Sequence, residues 1–302
     1  MFIFTNLKKT SLFNKFYYSK IQNSAQKKYF TWKQSFLTKS NISQINSKNN
    51  IKRKFHSDTV QKIVFKNFTI FHNNEESAKQ TLEEVFINKP YQFESHKINP
   101  YIIDAGSNIG IATLFFKSSY PAANIICFEP DPNAFKVLEL NIKANQLKNV
   151  KLINAALNNN EGKVNFYGQI SSKNSDARGN SIIQLWGDQR IINDGLSVNA
   201  VKLSSYINSE IDFLKLDIEG AEELVLTELG DKLKYVRATA IEYHEAKGME
   251  KINKIDRIKL LLEKYNFNYK ITPNDLSILP ASVKNWSKNV EPALSTIQAY
   301  RR

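Results

Sequence analysis

The residues after Asp58 predict an α/β fold: a doubly wound, mostly parallel sheet of Rossmann-like type, preceded by an N-terminal extension. Two observations carry the prediction. From Tyr101 onward short apolar runs alternate with segments of helical period, as in a parallel sheet covered on both faces. Several of these runs also close on an acid or a glycine, at the strand ends where such a sheet holds its ligands.

Taken in order, residues 63–71 are β-rich and 75–87 have helical character. Residues 101–104 form a brief apolar strand ending on Asp104, and a helix over 109–120 stops at Pro121. Residues 124–128 read as a buried strand. Asp131 and Pro132 then open a helix with an N-cap and a proline at its first position. Ala134, Val137, Leu138, Leu140, Ile142 and Leu147 follow at helical spacing. Strands are expected over 150–156, 163–167, 213–217 and 238–244. A helix over 221–229 is closed by Gly230, and Ile252, Ile255, Ile258, Leu261, Leu262 and Tyr265 mark an amphipathic helix.

The 302 residues carry a formal charge of +13, from 42 Lys plus Arg and 29 Asp plus Glu. Residues 1–57 hold 12 of those basic residues and no acid, which leaves 42 less 12, or 30, against 29 for the rest. The body is therefore nearly neutral, which disfavours a nucleic-acid partner. Hydrophobic residues make up 42%, enough for a sizeable core. Cys127 is the single cysteine, so an internal disulfide and a multi-cysteine zinc site are excluded, and no metal site is expected. No apolar run reaches the length of a membrane-spanning helix.

In the leader, Phe2, Phe4, Leu7, Leu12, Phe13 and Phe16 stand beside Lys8, Lys9 and Lys15, and residues 52–57 resemble a presequence processing site. This is the pattern of a mitochondrial transit peptide. The other reading is a disordered polybasic tail on a cytoplasmic protein. The chain divides into this leader (1–57), an accessory segment (58–98), the α/β domain (99–270) and a C-terminal extension (271–302).

Five strand ends carry the chemistry. Residues 104–110 read Asp-Ala-Gly-Ser-Asn-Ile-Gly. The glycines permit a tight turn and a close ligand approach beside a helix N-terminus. Asp104 suits a ligand with an ammonium and a sulfonium better than a pyrophosphate, and the third glycine of a dinucleotide fingerprint is missing. Glu129 lies 19 residues after Gly110, where a nucleoside-binding sheet sets a carboxylate on the ribose hydroxyls. Asn154, at a small-residue strand end, is placed to meet an adenine or the ribose. Asp217, Glu219 and Glu222 crowd one strand-to-helix junction. Asp217 and Glu219 are expected at the mouth beside the transferred methyl, and Glu222 as decoration of the first helical turn. His244 closes the last strand as a third candidate base.

These motifs, with Phe-Glu-Pro-Asp-Pro at 128–132, Leu-Asp-Ile-Glu-Gly-Ala-Glu at 216–222 and Glu-Tyr-His at 242–244, resemble the FkbM family of S-adenosylmethionine-dependent methyltransferases over about residues 99–270. The resemblance implies a class I methyltransferase fold, with Asp104, Gly106, Asn108 and Gly110 near the methionine part of S-adenosylmethionine and Glu129 on its ribose. It implies O-methylation of a small-molecule or sugar hydroxyl. The placement of the acids then makes Asp217 or Glu219 the expected acceptor of the hydroxyl proton, with His244 third. Ser204 departs from the family pattern, which has an acid after the leucine. A rival reading is a catalytically silent subunit of a mitochondrial complex, docked through 59–98 and 271–302. The Ser- and Asn-rich segment 168–200, with Arg178, Trp186 and Arg190, is expected to cover the acceptor.

Overall fold

The computed structural model describes residues 60–168, 178–187, 195–274 and 292–301. The leader, Arg190, Ile278, Leu279 and Trp286 lie outside the described residues.

A seven-stranded sheet forms the centre, in the order β11-β12-β10-β9-β3-β4-β5. Its strands are β3 (Tyr101–Ala105), β4 (Asn124–Phe128), β5 (Val150–Ile153), β9 (Ile211–Leu216), β10 (Val236–Glu245), β11 (Phe267–Pro273) and β12 (Ala293–Arg301). Strands β5, β4, β3, β9 and β10 run parallel, whereas β12 lies antiparallel between β10 and β11. Chain order reverses at β3, whose neighbours are β4 and β9, so the ligand-binding switch point falls at its carboxyl end.

Helices α2 (Ile111–Ser119), α3 (Pro132–Ala144), α5 (Glu222–Leu229) and α6 (Ile255–Lys264) complete the winding. Asp131 caps α3 as expected, accepting from the N–H groups of Asn133 and Ala134. That helix ends at Ala144 and so does not reach Leu147. Ile103, Leu214, Leu216, Val225, Ile241 and Ile258 belong to one buried cluster that joins the sheet to the helices.

The strand expected over 150–156 divides. Its first part is β5, and after a turn at Asn154 the pair Ala156–Leu157 (β6) joins a separate sheet, β6-β8-β7, with β7 (Gly162–Phe166) and β8 (Leu196–Val201). The segment after residue 270 also contributes to the core, since Ile297 and Ala299 of β12 are fully buried. Its alternation is weak because small and polar residues fill much of the strand.

The accessory segment forms a hairpin, β1 (Gln61–Phe65) and β2 (Phe68–His72), then α1 (Glu75–Glu83) and a π-helical turn Glu84–Asn88. Two amides one turn apart, Asn141 on α3 and Asn145 at its C-cap, attach it. The side chain of Asn141 accepts from Phe71 N–H at 2.6 Å and donates to the carbonyls of Phe71 (3.0 Å) and Ile109 (2.7 Å). Asn145 repeats the exchange with Thr69, at 2.9 and 2.7 Å. The side chains thus imitate a neighbouring strand along β2, satisfying backbone groups that the hairpin leaves open. Asn141→Ala removes three of these bonds at a fully buried position and is expected to cost roughly 2–4 kcal/mol. Urea denaturation reads the loss, and amide exchange at Phe71 should accelerate; unchanged exchange there contradicts the attachment.

Candidate active site

At the switch point, the N–H groups of Gly106 and Ser107 donate to the carbonyl of Phe128 at 3.0 and 2.9 Å, and Asp217 N–H donates to the carbonyl of Ala105 at 3.2 Å. Gly106 has φ +76°, and a Cβ there would lie 1.7 Å from the carbonyl oxygen of Asp217. Gly110 has φ +91°, and its Cβ would meet Leu138 at 2.6 Å. Both glycines are therefore demanded by packing, of the loop on β9 and of α2 on α3, where the sequence suggested close approach of a ligand.

Beneath the loop lies Lys215, buried in the middle of β9. Its Nζ donates to the carbonyls of Ala105 (3.2 Å) and Gly106 (2.7 Å) and pairs with Asp104 (3.4 Å) and Asp217 (3.2 Å). Burial opposes the ammonium, but Asp217, Asp104 and Glu242 more than offset it, so the group stays charged. Asp104 is fully buried and also accepts from Thr113 Oγ1 at 2.6 Å. Its charge is directed at Lys215 inside the protein, a correction to the expectation that it faces a ligand's ammonium. The Cys127 thiol, 3.2 Å from Thr113 Oγ1, is pushed up to about 12 by burial and by Asp104, so it is inert.

Glu129 follows β4. Its Oε2 accepts from Asn108 N–H at 2.7 Å and its Oε1 from Asp131 N–H at 2.8 Å, which fixes the carboxyl plane across the loop. Each oxygen retains a further lone pair, so the group fits a ribose diol. Burial, then the charge of Asp131, raises its pKa to about 8, against the pull of the two N–H donors. Asn154 uses its amide nitrogen on the carbonyls of Glu129 (2.8 Å) and Pro130 (3.3 Å), joining the end of β5 to this turn.

On the other side of the loop stands Asp217, about a fifth exposed. Tyr91 O–H donates to Glu242 at 2.8 Å and lies 3.3 Å from Asp217 Oδ2. Burial and then the surrounding carboxylates Glu242, Asp217 and Glu84 raise the phenol well above its usual range, so it remains a donor. Burial and the charges of Asp217 and Glu84 likewise push Glu242 well up.

Glu219 adopts φ +56°, and Gly220 follows at +96°. This backbone turns Glu219 toward the segment 178–187, which includes the short helix α4 (Gln184–Gly187). Its oxygens accept from Gly179 N–H and Trp186 Nε1, both at 2.8 Å, and its carbonyl accepts from Ser181 Oγ at 2.6 Å. His244 lies 3.4 Å from Glu219 through Nε2 and 3.1 Å from Glu222 through Nδ1. Glu222 is fully buried, accepts from Gly220 N–H at 3.0 Å and from Asn253 Nδ2 at 2.6 Å, and orients the ring. The reading of Glu222 as decoration is thereby corrected. Burial opposes the imidazolium of His244, but Glu219 and Glu222 raise its pKa well above the usual value. The ring is accordingly a cation between two carboxylates, poorly suited to take up a proton.

Asp217, Glu219 and His244 are thus brought together, with Glu129 and Asn108 across the loop. Sequence reasoning missed Tyr91, Glu84, Glu242, Asn253 and the role of Lys215. A lysine inside an apolar strand was the available signal, because a buried ammonium requires carboxylate or carbonyl partners. Ser204 bonds through its hydroxyl to Glu228 on α5, with its N–H on the same carboxylate at 3.1 Å.

Glu129 has a folded pKa of about 8 against an ordinary 4.5. The fold therefore retains a proton that the unfolded chain releases, and this stabilisation, complete below pH 4.5, is lost as pH rises to 8. His244 acts in the same direction above its ordinary 6.5. Unfolding free energy from urea titrations is expected to fall between pH 5 and 9, with Glu129→Gln removing the part below pH 8. A flat wild-type profile would contradict these protonation states.

Comparison with known proteins identifies the family. The "Methyltransferase FkbM domain" family model matches residues 104–269, more than half of the chain. "Methyltransferase sdnD" of Sordaria araneosa is 28% identical over 218 residues, 63% of this chain and 82% of that protein. "2-O-methyltransferase NoeI" of Sinorhizobium fredii is 30% identical over 161 residues, 49% of this chain and 65% of its own. The crystal structure of the FkbM methyltransferase from Methylobacillus flagellatus KT aligns with 13% identity and a TM-score of 0.45, over 72% of this chain and 48% of that one. The chain belongs to the FkbM family of S-adenosylmethionine-dependent methyltransferases.

Proposed function

We propose that the protein transfers a methyl group from S-adenosylmethionine to a hydroxyl of a small molecule or sugar. The observation that carries this reading is the Glu129 carboxyl, fixed by two backbone N–H groups with a lone pair left on each oxygen, beside the loop whose far side bears Asp217. The name of the Sinorhizobium relative, a 2-O-methyltransferase, supports a hydroxyl acceptor.

S-adenosylmethionine, when bound, supplies an electrophilic methyl on a sulfonium leaving group. The protein's task is then to align the acceptor oxygen and receive its proton. In this reading Glu129 accepts from the ribose hydroxyls, and the loop of Gly106, Asn108 and Gly110 borders the methionine part with Asp104 supporting it through Lys215. Asn154 borders the adenine side. Asp217, held by Lys215 and Tyr91, takes the proton, with Glu219 as the alternative; His244, expected as a third candidate, is already charged and instead supports Glu219, and Trp186 and its segment wall the acceptor.

Asp217→Asn is expected to lower kcat at least about 100-fold while calorimetric affinity for S-adenosylmethionine stays within about threefold. Unchanged turnover would discard the assignment. Absent affinity for S-adenosylmethionine and S-adenosylhomocysteine, together with co-migration in a large complex, would favour the silent-subunit role. Metabolite profiling of a deletion strain for species lighter by a methyl group identifies the acceptor.

The acid-free leader supports a mitochondrial location. Western sizing of the endogenous protein is expected to show a mitochondrial product shortened by about 57 residues, and a full-length cytosolic product overturns this.

A further inference from the structure

The acceptor side of the mouth holds a set of donors that methyl transfer alone does not require. Ligand atoms of Asp217, Glu219 and His244 all lie within 4.8 Å of one another. Two come from the loop after β9 and one from β10, so the sheet brings them together. His244 is buried, whereas Asp217 and Glu219 remain about a fifth exposed, which leaves one side open for water or an acceptor oxygen. Each donor is aimed by groups outside the trio. Glu222, itself held by Asn253, engages Nδ1 of His244 and leaves Nε2 facing Glu219. A metal-bound imidazole characteristically has its second nitrogen on a carboxylate in this way. Gly179 and Trp186 orient Glu219, while Lys215 and Tyr91 orient Asp217. Glu84 and Glu242 stand within electrostatic reach of Asp217, so the surroundings are rich in acid.

We propose that Asp217, Glu219 and His244 bind one divalent first-row cation at the acceptor side of the active site, the cation replacing the Nε2 proton of His244, which leaves to solvent. Two carboxylate oxygens with one imidazole nitrogen form a mixed set, between the all-oxygen sites of Mg²⁺ and the nitrogen- and sulfur-rich sites of Zn²⁺ and Cu²⁺, and Mn²⁺ is the natural probe. The remaining positions face the open side. An acceptor hydroxyl bound there is acidified and held in place. This use of the cation rests on the hydroxyl-methylation reading; its binding does not.

The full-length protein, stripped with a chelator, is titrated with Mn²⁺ and followed by electron paramagnetic resonance, while S-adenosylmethionine affinity is measured separately by calorimetry. One bound Mn²⁺ per chain is expected, with pulsed spectra showing coupling to a single imidazole nitrogen. Glu222→Gln should weaken Mn²⁺ binding about 10–100-fold and leave S-adenosylmethionine affinity unchanged. Mn²⁺ that stays free at millimolar concentration, or bound Mn²⁺ without nitrogen coupling, overturns the proposal. The wild-type spectrum decides even if the variant does not fold. Mn²⁺ binding without S-adenosylmethionine affinity sinks the donor reading and leaves this one, and the converse result does the opposite.

Discussion

The ammonium of Lys215 links the two halves of the site. It is buried near the centre of the sheet, two carbonyls of the 104–110 stretch accept from it, and the carboxylates of Asp104 on the adjacent strand and Asp217 just beyond its own strand flank it. Removing a charge from water is costly, and the arrangement persists only because every contact is made together. Asp104 without Lys215 would be an isolated buried anion. Lys215 without Asp104 and Asp217 would have no balancing charge. The glycine loop and Asp217 therefore share one support, and neither can shift without disturbing the other.

Much of this was legible in the sequence because it depended on local rules. A proline after an aspartate marks a helix start wherever it occurs, and Asp131 and Pro132 did so. Glu129 was singled out by counting from the glycine loop, and Asp217 and Glu219 by the crowding of acids at one strand-to-helix junction. The segment around Trp186 was flagged by its composition, and it lies on Glu219. Contacts between distant residues left no such mark. Tyr91 meets Asp217 across 126 positions and Glu242 across 151. Glu222 has the composition of an exposed first-turn acid, and only the placement of His244 and Asn253 reveals that it is buried. The break between β5 and β6 was hidden because residues 150–156 remain compatible with extended backbone throughout.

The accessory segment is part of the same body. Phe93 stacks on Phe213 of β9 with ring centroids 4.4 Å apart, and Gln298 of β12 donates to the carbonyl of Pro90 at 2.8 Å. These contacts fix residues 90–93 against the middle of the sheet and so deliver Tyr91 to the mouth. The family match begins at residue 104, yet Asp217 and Glu242 within it are met by Tyr91 before it. Variation in this stretch can therefore alter the surroundings of Asp217 while leaving the matched domain intact.

The left-handed backbone at Glu219 has a consequence for the charge around it. One side chain there receives the indole of Trp186 and an amide of Gly179 while it neighbours the His244 ring. A change in 178–187 that removed these donors would leave the same carboxylate drawing more strongly on the imidazole. The placement of that segment and the balance of charge on the ring are thus one coupled property, set through a single carboxylate.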